Sequence, residues 1–186
     1  MAPNIESGLD LIQREALSAE GRIRPHIRET PLEYSLYLSR LIGGEVFLKL
    51  ENLQLTGSFK LRGAMNKILS LSPGERKKGV VTASSGNHGF AFAYLADRFD
   101  FPGIIYLPET TDPGKIESLQ LYGAEIRIQG DDCVRAEAAG RAEALEQGYA
   151  YVSPYNDPQV IGGQATVGIE LGRQAGSMDA VLIPVG

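Results

Sequence analysis

Long apolar runs are missing from this chain. No stretch approaches the ~18 consecutive apolar residues that a membrane-spanning helix needs, so no membrane partner is expected. The segment from Met1 to Ser7 shows no basic stretch followed by an apolar one, and no secretory leader is expected. Cysteine is nearly absent: Cys133 stands alone, which excludes an intrachain disulfide and suits a reducing, cytoplasmic setting. With one cysteine and two histidines, His26 and His88, no zinc-ligand spacing can be built, and no metal is expected. Positive charge is in deficit, with 18 basic against 23 acidic residues and a net charge of −5. The basic residues are scattered, which argues against a nucleic-acid surface. Two nucleotide signatures are also missing. No Gly-x-Gly-x-x-Gly follows a predicted strand, and there is no Gly-x-x-x-x-Gly-Lys-Ser/Thr.

What is present has an ordinary balance, 43% apolar and 22% charged. The 186 residues suffice for one domain or two small ones. Leu9, Ile12, Ala16 and Leu17 follow helical spacing. Residues 23–31 read as irregular, and Ser35 is placed to cap a short helix through Leu41 that Gly43-Gly44 ends. Strands are predicted at 46–50, 79–82, 104–107, 124–128, 149–152 and 180–185. Helices are predicted at 58–71, 87–99, 113–122, 131–147 and 158–174, the first closed by Ser72-Pro73-Gly74. Strands separated by single helices imply βαβ units and a parallel sheet. In such sheets ligands collect at the carboxyl ends of strands. Two loops are placed there, 52–60 and 83–89.

The second loop, Ser84-Ser85-Gly86-Asn87-His88-Gly89, joins an apolar strand to a helix. Free backbone N–H groups at such a start attract a carboxylate or phosphate. Gly86 and Gly89 permit close approach of a ligand, and Asn87 adds a side-chain donor and acceptor. An ordinary N-cap accounts for Ser84, Ser85 and Asn87 as well. The first loop leads to Lys60 at a helix start, where the macrodipole disfavours a cation. Phe59, Leu61, Ala64 and Ile68 are apolar neighbours, so the amine tends to lose its proton, as imine formation requires. A surface lysine snorkelling from its helix is the alternative.

Taken together, the two segments resemble the cofactor sites of the serine/threonine dehydratase family of pyridoxal-phosphate (PLP) enzymes. Gly57-Ser-Phe-Lys-Leu-Arg-Gly63 is similar to that family's lysine motif, and Ser84-Ser-Gly-Asn-His-Gly89 to its substrate-carboxylate loop. Pro154-Tyr-Asn-Asp-Pro158 and Gly163-Gln-Ala-Thr-Val-Gly-Ile-Glu170 resemble a downstream stretch. Leu61 after Lys60 and His88 after Asn87 favour the dehydratase branch over cysteine and threonine synthases.

The resemblance implies an α/β fold of parallel three-layer αβα sheets, like the tryptophan synthase β chain, with residues 54–154 as a small domain. Residues 1–53 and 155–186 would form part of a large domain. It implies that Lys60 holds the cofactor and is the base at Cα, that Phe59 packs beside the cofactor, and that Asn87 bonds its ring oxygen. Backbone groups of Ser84, Ser85, Gly86, Asn87 and His88 would take the substrate carboxylate.

The implied reaction converts L-threonine or L-serine to a keto acid and ammonia. An amino-acid racemase of the same family is the second reading, with Ser85 as acid or base on the face opposite Lys60. A non-catalytic module binding a small carboxylate or phosphate is the third. A homo-oligomer, dimer or higher, is expected. The family's glycine-rich phosphate loop follows the strand at Ile183-Pro-Val-Gly186, so Gly186 would be its first residue. The 186-residue chain is therefore expected to lack the carboxyl-terminal part, to hold PLP weakly and to be inactive by itself. Its 181–185 run is expected to leave an unpaired edge that associates with other chains.

Overall fold

Residues 8–184 are described by the structure, a computed structural model. Its architecture follows from two strands that are apolar on both faces. In β3 (Val80–Ala83) and β4 (Gly103–Leu107) every residue is buried. Successive side chains of a strand point to opposite faces, so such strands need cover on both sides. Val80, Ile105 and Leu107 meet Phe92 and Leu95 of α5 (Asn87–Phe99) and Leu119 of α6 (Pro113–Gln120). Val81, Ala83, Ile104 and Tyr106 face the other way, onto Ala136 and Ala144 of α7 (Cys133–Gln147). The result is the expected three-layer αβα arrangement.

The sheet has four parallel strands in the order β5-β4-β3-β6, with β5 at Glu125–Ile128 and β6 at Ala150–Tyr151. Its register pairs Val81 with both Ile104 and Tyr151. From β3 the chain steps outward to β4 and β5, then returns through α7 to lay β6 on the other side of β3. The strand order therefore reverses between β3 and β6, and the carboxyl ends flanking such a switch point form a crevice.

The flanking segments form a second body of helices. α1 (Gly8–Ile23) packs on α8 (Pro158–Gln174), and α8 packs on α3 (Lys60–Ser70), which also touches α5. The α3–α8 contact brings two backbones together: a Cβ on Gly163 would lie 2.6 Å from the Arg62 carbonyl oxygen and from the Gly63 Cα. Alanine at Gly163 gains about 1 kcal/mol of helix propensity but overpacks rigid backbone, which costs roughly 1–3 kcal/mol. Gly163→Ala is therefore expected to lower the urea midpoint; an unchanged or raised midpoint would show that the crossing yields.

The helix predicted over 87–99 is α5, and that over 158–174 is α8, without change of bounds. Ser35 caps α2 (Leu36–Ile42) by accepting from the Leu38 N–H at 3.4 Å, and Gly43 ends it at φ 71°. Three expectations are corrected. The run predicted over 46–50 forms β2 (Phe47–Lys49), which lies outside the parallel sheet and pairs antiparallel with β1 (Leu32–Tyr34). Ser72-Pro73-Gly74 closes α3 but also opens α4 (Pro73–Lys78), because Ser72 and Glu75 form a reciprocal capping box. The strand predicted over 180–185 is not formed: residues 180–184 have no regular structure, and Leu182 is 97% exposed. A strand persists only beside a neighbour that completes its ladder, and no described strand lies beside this run. Val185 and Gly186 lie outside the described residues.

Candidate active site

Lys60 is the first residue of α3, and the preceding Phe59 has no side-chain cap to offer. The lysine is half-buried, and its Nζ donates to the carbonyl oxygen of Pro154 at 3.0 Å. The amine lies 5.2 Å from the centroid of the Phe59 ring. Burial lowers the pKa of Lys60, and among the described residues no carboxylate opposes that effect. The amine is thus engaged by the loop that follows β6 rather than extended into solvent along the helix.

Pro154 is held in place by its neighbours. Ser153 Oγ accepts from the Asn156 N–H at 3.0 Å and from Arg141 Nη2 at 3.4 Å. Tyr155 donates to Glu137 on α7 at 2.7 Å. Asp157 caps α8 through the N–H groups of Gln159 and Val160 and pairs with Lys67 at 2.7 Å. A loop fixed at both ends thus presents the carbonyl that faces Lys60.

The segment 84–89 leaves the carboxyl end of β3 and enters α5. Gly86 is the N-cap residue, and no side chain caps the helix. The capping account of Ser84, Ser85 and Asn87 therefore fails here: Ser84 Oγ accepts from the Gly86 N–H at 3.3 Å, outside the helix, and Asn87 is exposed. The start of α5 keeps its free N–H groups and its positive dipole end for another acceptor. Ser84 and Ser85 are half-buried, and Gly86 is exposed. Gly89 is indispensable to this geometry, since a Cβ there would collide with the Ser84 carbonyl oxygen.

His88 is only 2% exposed. Its pKa is lowered to about 4, first by burial and then by the nearby Lys60 charge, with the Val152 backbone offsetting part of the effect. The imidazole is thus neutral and close to the lysine, a placement that sequence reasoning missed because it considered only the His88 backbone. The Val152 backbone lies within reach of the ring, while Thr56 Oγ1 and Ser58 Oγ, on the segment that leads to Lys60, are buried without a hydrogen-bond partner among the described residues. Unpaired buried polar atoms are costly and call for an explanation. Two such hydroxyls on that segment, with a buried neutral imidazole near the lysine, suit a polar ligand.

The residues from 23 to 186 match the family model described as pyridoxal-phosphate dependent enzyme. The chain belongs to this family. It is 42% identical over 168 residues to an L-threonine ammonia-lyase of Thermotoga maritima, covering 90% of this chain and 42% of that protein. It is 40% identical to a beta-hydroxyaspartate dehydratase of Paracoccus denitrificans, covering 92% of this chain and 55% of the relative. Among solved structures, maize serine racemase superposes with a TM-score of 0.84 at 34% identity, over 90% of this chain and 51% of that one. The T.th. threonine deaminase gives 0.78 at 42% identity, over 88% and 51%. The chain thus spans about half the length of these relatives.

The family's cofactor is pyridoxal phosphate, and the residues present fit it. A half-buried amine without an acidic partner among the described residues suits a covalent link to an aldehyde, and the two unpaired hydroxyls and the neutral imidazole suit a ring bearing polar substituents. Among the described residues no group of three or more His, Cys, Asp or Glu could hold a metal ion. Among them, too, no helix is long and apolar enough to cross a membrane. Gly186, the expected start of the phosphate loop, lies outside the described residues.

Proposed function

We propose that the whole protein is a PLP-dependent ammonia-lyase that takes L-threonine, L-serine or both to a keto acid and ammonia. The observation that carries this reading is the Lys60 amine, held by a backbone carbonyl and near enough to His88, in the first turn of the uncapped α5, to lower its pKa. The cofactor supplies an electron sink for a carbanion at Cα. The chain supplies the rest. Lys60 carries the cofactor and moves the proton at Cα. Backbone N–H groups from Ser84 to His88 receive the substrate carboxylate and so aim the Cα–H bond at Lys60. Asn87 bonds the cofactor's ring oxygen, and Phe59 packs against its ring. Residues 54–154 form the small domain in this reading, and 1–53 with 155–186 belong to the large one. The α5–sheet–α7 layers fall within the first range and the α1–α8 pair within the second.

The test is an ammonia-release assay on the whole protein with L-threonine and L-serine, alongside a PLP absorbance titration. Turnover with a bound chromophore supports the reading. A colourless, inert protein that still binds small carboxylates would replace it with a binding module.

A racemase is the second reading, and Ser85 favours it. The residue is half-buried, and its side chain is not used to cap α5. Racemisation needs an acid or base on each face of a planar carbanion, and such a group contributes roughly 10²–10⁴-fold. Ser85→Ala in the whole protein is expected to remove any racemisation while sparing dehydration of one enantiomer. Chiral analysis of serine after incubation decides; equal loss of both activities would reduce Ser85 to a structural part.

A further inference from the structure

The segment that carries Lys60 is closed at both ends by one guanidinium. Arg62 follows Lys60 by two residues and is fully buried. Its Nε and Nη2 donate to the two carboxylate oxygens of Glu51 at 2.8 and 2.7 Å. Its Nη1 and Nη2 donate to the two oxygens of Glu170 at 2.7 and 2.9 Å. Glu51 opens the 3-10 turn Glu51–Leu53 with which the lysine segment begins. Positions 51 and 62 are thus joined both by the chain and by an ion pair. Glu170 anchors the clamp to the rest of the fold. It comes from α8 and also accepts from Lys49 of β2 at 2.5 Å, from Arg24 at 2.6 Å and from the Thr30 N–H at 3.3 Å.

Within the closed segment, the Gln54 side chain is tied to the backbone of Arg28 at 3.0 and 2.9 Å. Beyond it, the Thr56 and Ser58 hydroxyls find no partner. The placement of Phe59 and Lys60 therefore depends on the clamp at the base of α3. A cation in the first turn of a helix is opposed by the dipole, and apolar residues of similar volume commonly stabilise as well as a buried ion pair. What paired forks add is direction, because a bidentate guanidinium–carboxylate contact fixes orientation as well as distance.

We propose that Arg62 is a positioning residue for Lys60. Together with Glu51 and Glu170 it sets where the lysine amine stands before the Pro154 carbonyl. The proposal rests on the reading of Lys60 as the cofactor lysine.

Arg62→Lys keeps the charge and removes the fork, so it isolates geometry. It is compared, in the whole protein, with a sheet-core control, Ile105→Ala, under conditions where both have lost the same amount of melting temperature. Amide hydrogen exchange over residues 54–60 is measured without cofactor. It is expected to be at least about tenfold faster in Arg62→Lys than in the control, as local opening of a released segment requires. With PLP, kcat is expected to fall roughly 10–100-fold with KM within about threefold, the mark of misplaced chemistry. Exchange no faster than in the control, or kinetics that match the control, overturns the proposal. If the wild type takes up no PLP, the functional reading fails, and the exchange comparison decides the clamp by itself. Should Arg62→Lys not fold, Glu51→Gln loosens one end of the clamp and answers the same questions.

Discussion

Glu170→Ala is expected to cost about 3–5 kcal/mol, the penalty for removing one partner of a buried charge cluster. Domains of this kind have only about 5–15 kcal/mol in total, so the variant should lose a large share of its stability while remaining folded enough to titrate with urea. The reason lies in what the carboxylate holds. Arg62 and Glu170 are both fully buried, and Lys49 and Arg24 converge on the same two oxygens. Without Glu170, Arg62 keeps Glu51, Thr30 and Thr166 but loses two of the six hydrogen bonds it donates among the described residues, both to charged oxygens. Burial alone would raise the Glu170 pKa, but hydrogen bonds from Arg62, Lys49 and Arg24 hold it at about 2, below its ordinary 4.5. A depressed carboxylate stabilises the fold fully above its unfolded value and loses that contribution as pH falls through its folded value. Wild-type stability should therefore drop between pH 4.5 and about 2 by an amount that Glu170→Ala does not show. Urea titrations of both proteins across that window measure it, and parallel curves would show that Glu170 is not the titrating group.

Lys60→Ala should cut turnover of the whole protein by at least about 10³-fold, since it removes both the covalent anchor and the base at Cα. It should barely change the melting temperature, because the side chain makes one hydrogen bond, to Pro154. Borohydride reduction of the wild type followed by peptide mapping should place the cofactor on the Lys60 peptide. Two other lysines provide the contrast. Lys49 pairs with Glu170 at 2.5 Å and Lys67 with Asp157 at 2.7 Å, so carboxylates already engage both amines and keep them from an aldehyde. Label on Lys49 or Lys67, or full activity in Lys60→Ala, would remove Lys60 from the centre of the site.

Pattern alone determined the elements that local physics controls. Alternating helical and apolar stretches specify βαβ units, Ser35 and Gly43 bracket α2, and the helix begun at Pro158 is α8. The two chemistry-bearing segments were legible for the same reason: glycine, small hydroxyl residues and a lysine at a helix start are local signals.

What tertiary structure decided are matters of partnership across the chain. That β2 leaves the parallel sheet depends on β1, a three-residue strand too short for a periodic signal. That residues 180–184 form no strand depends on the absence of a neighbour among the described residues, which an apolar run cannot announce. Pro154 reaches Lys60 across 94 positions as a backbone acceptor, and any residue type carries the same carbonyl. Arg62 and Glu170, 108 positions apart, read in sequence as ordinary charged helix residues. Only the close α3–α8 crossing at Gly63 and Gly163 buries them together, where desolvation turns two common side chains into the clamp beneath Lys60.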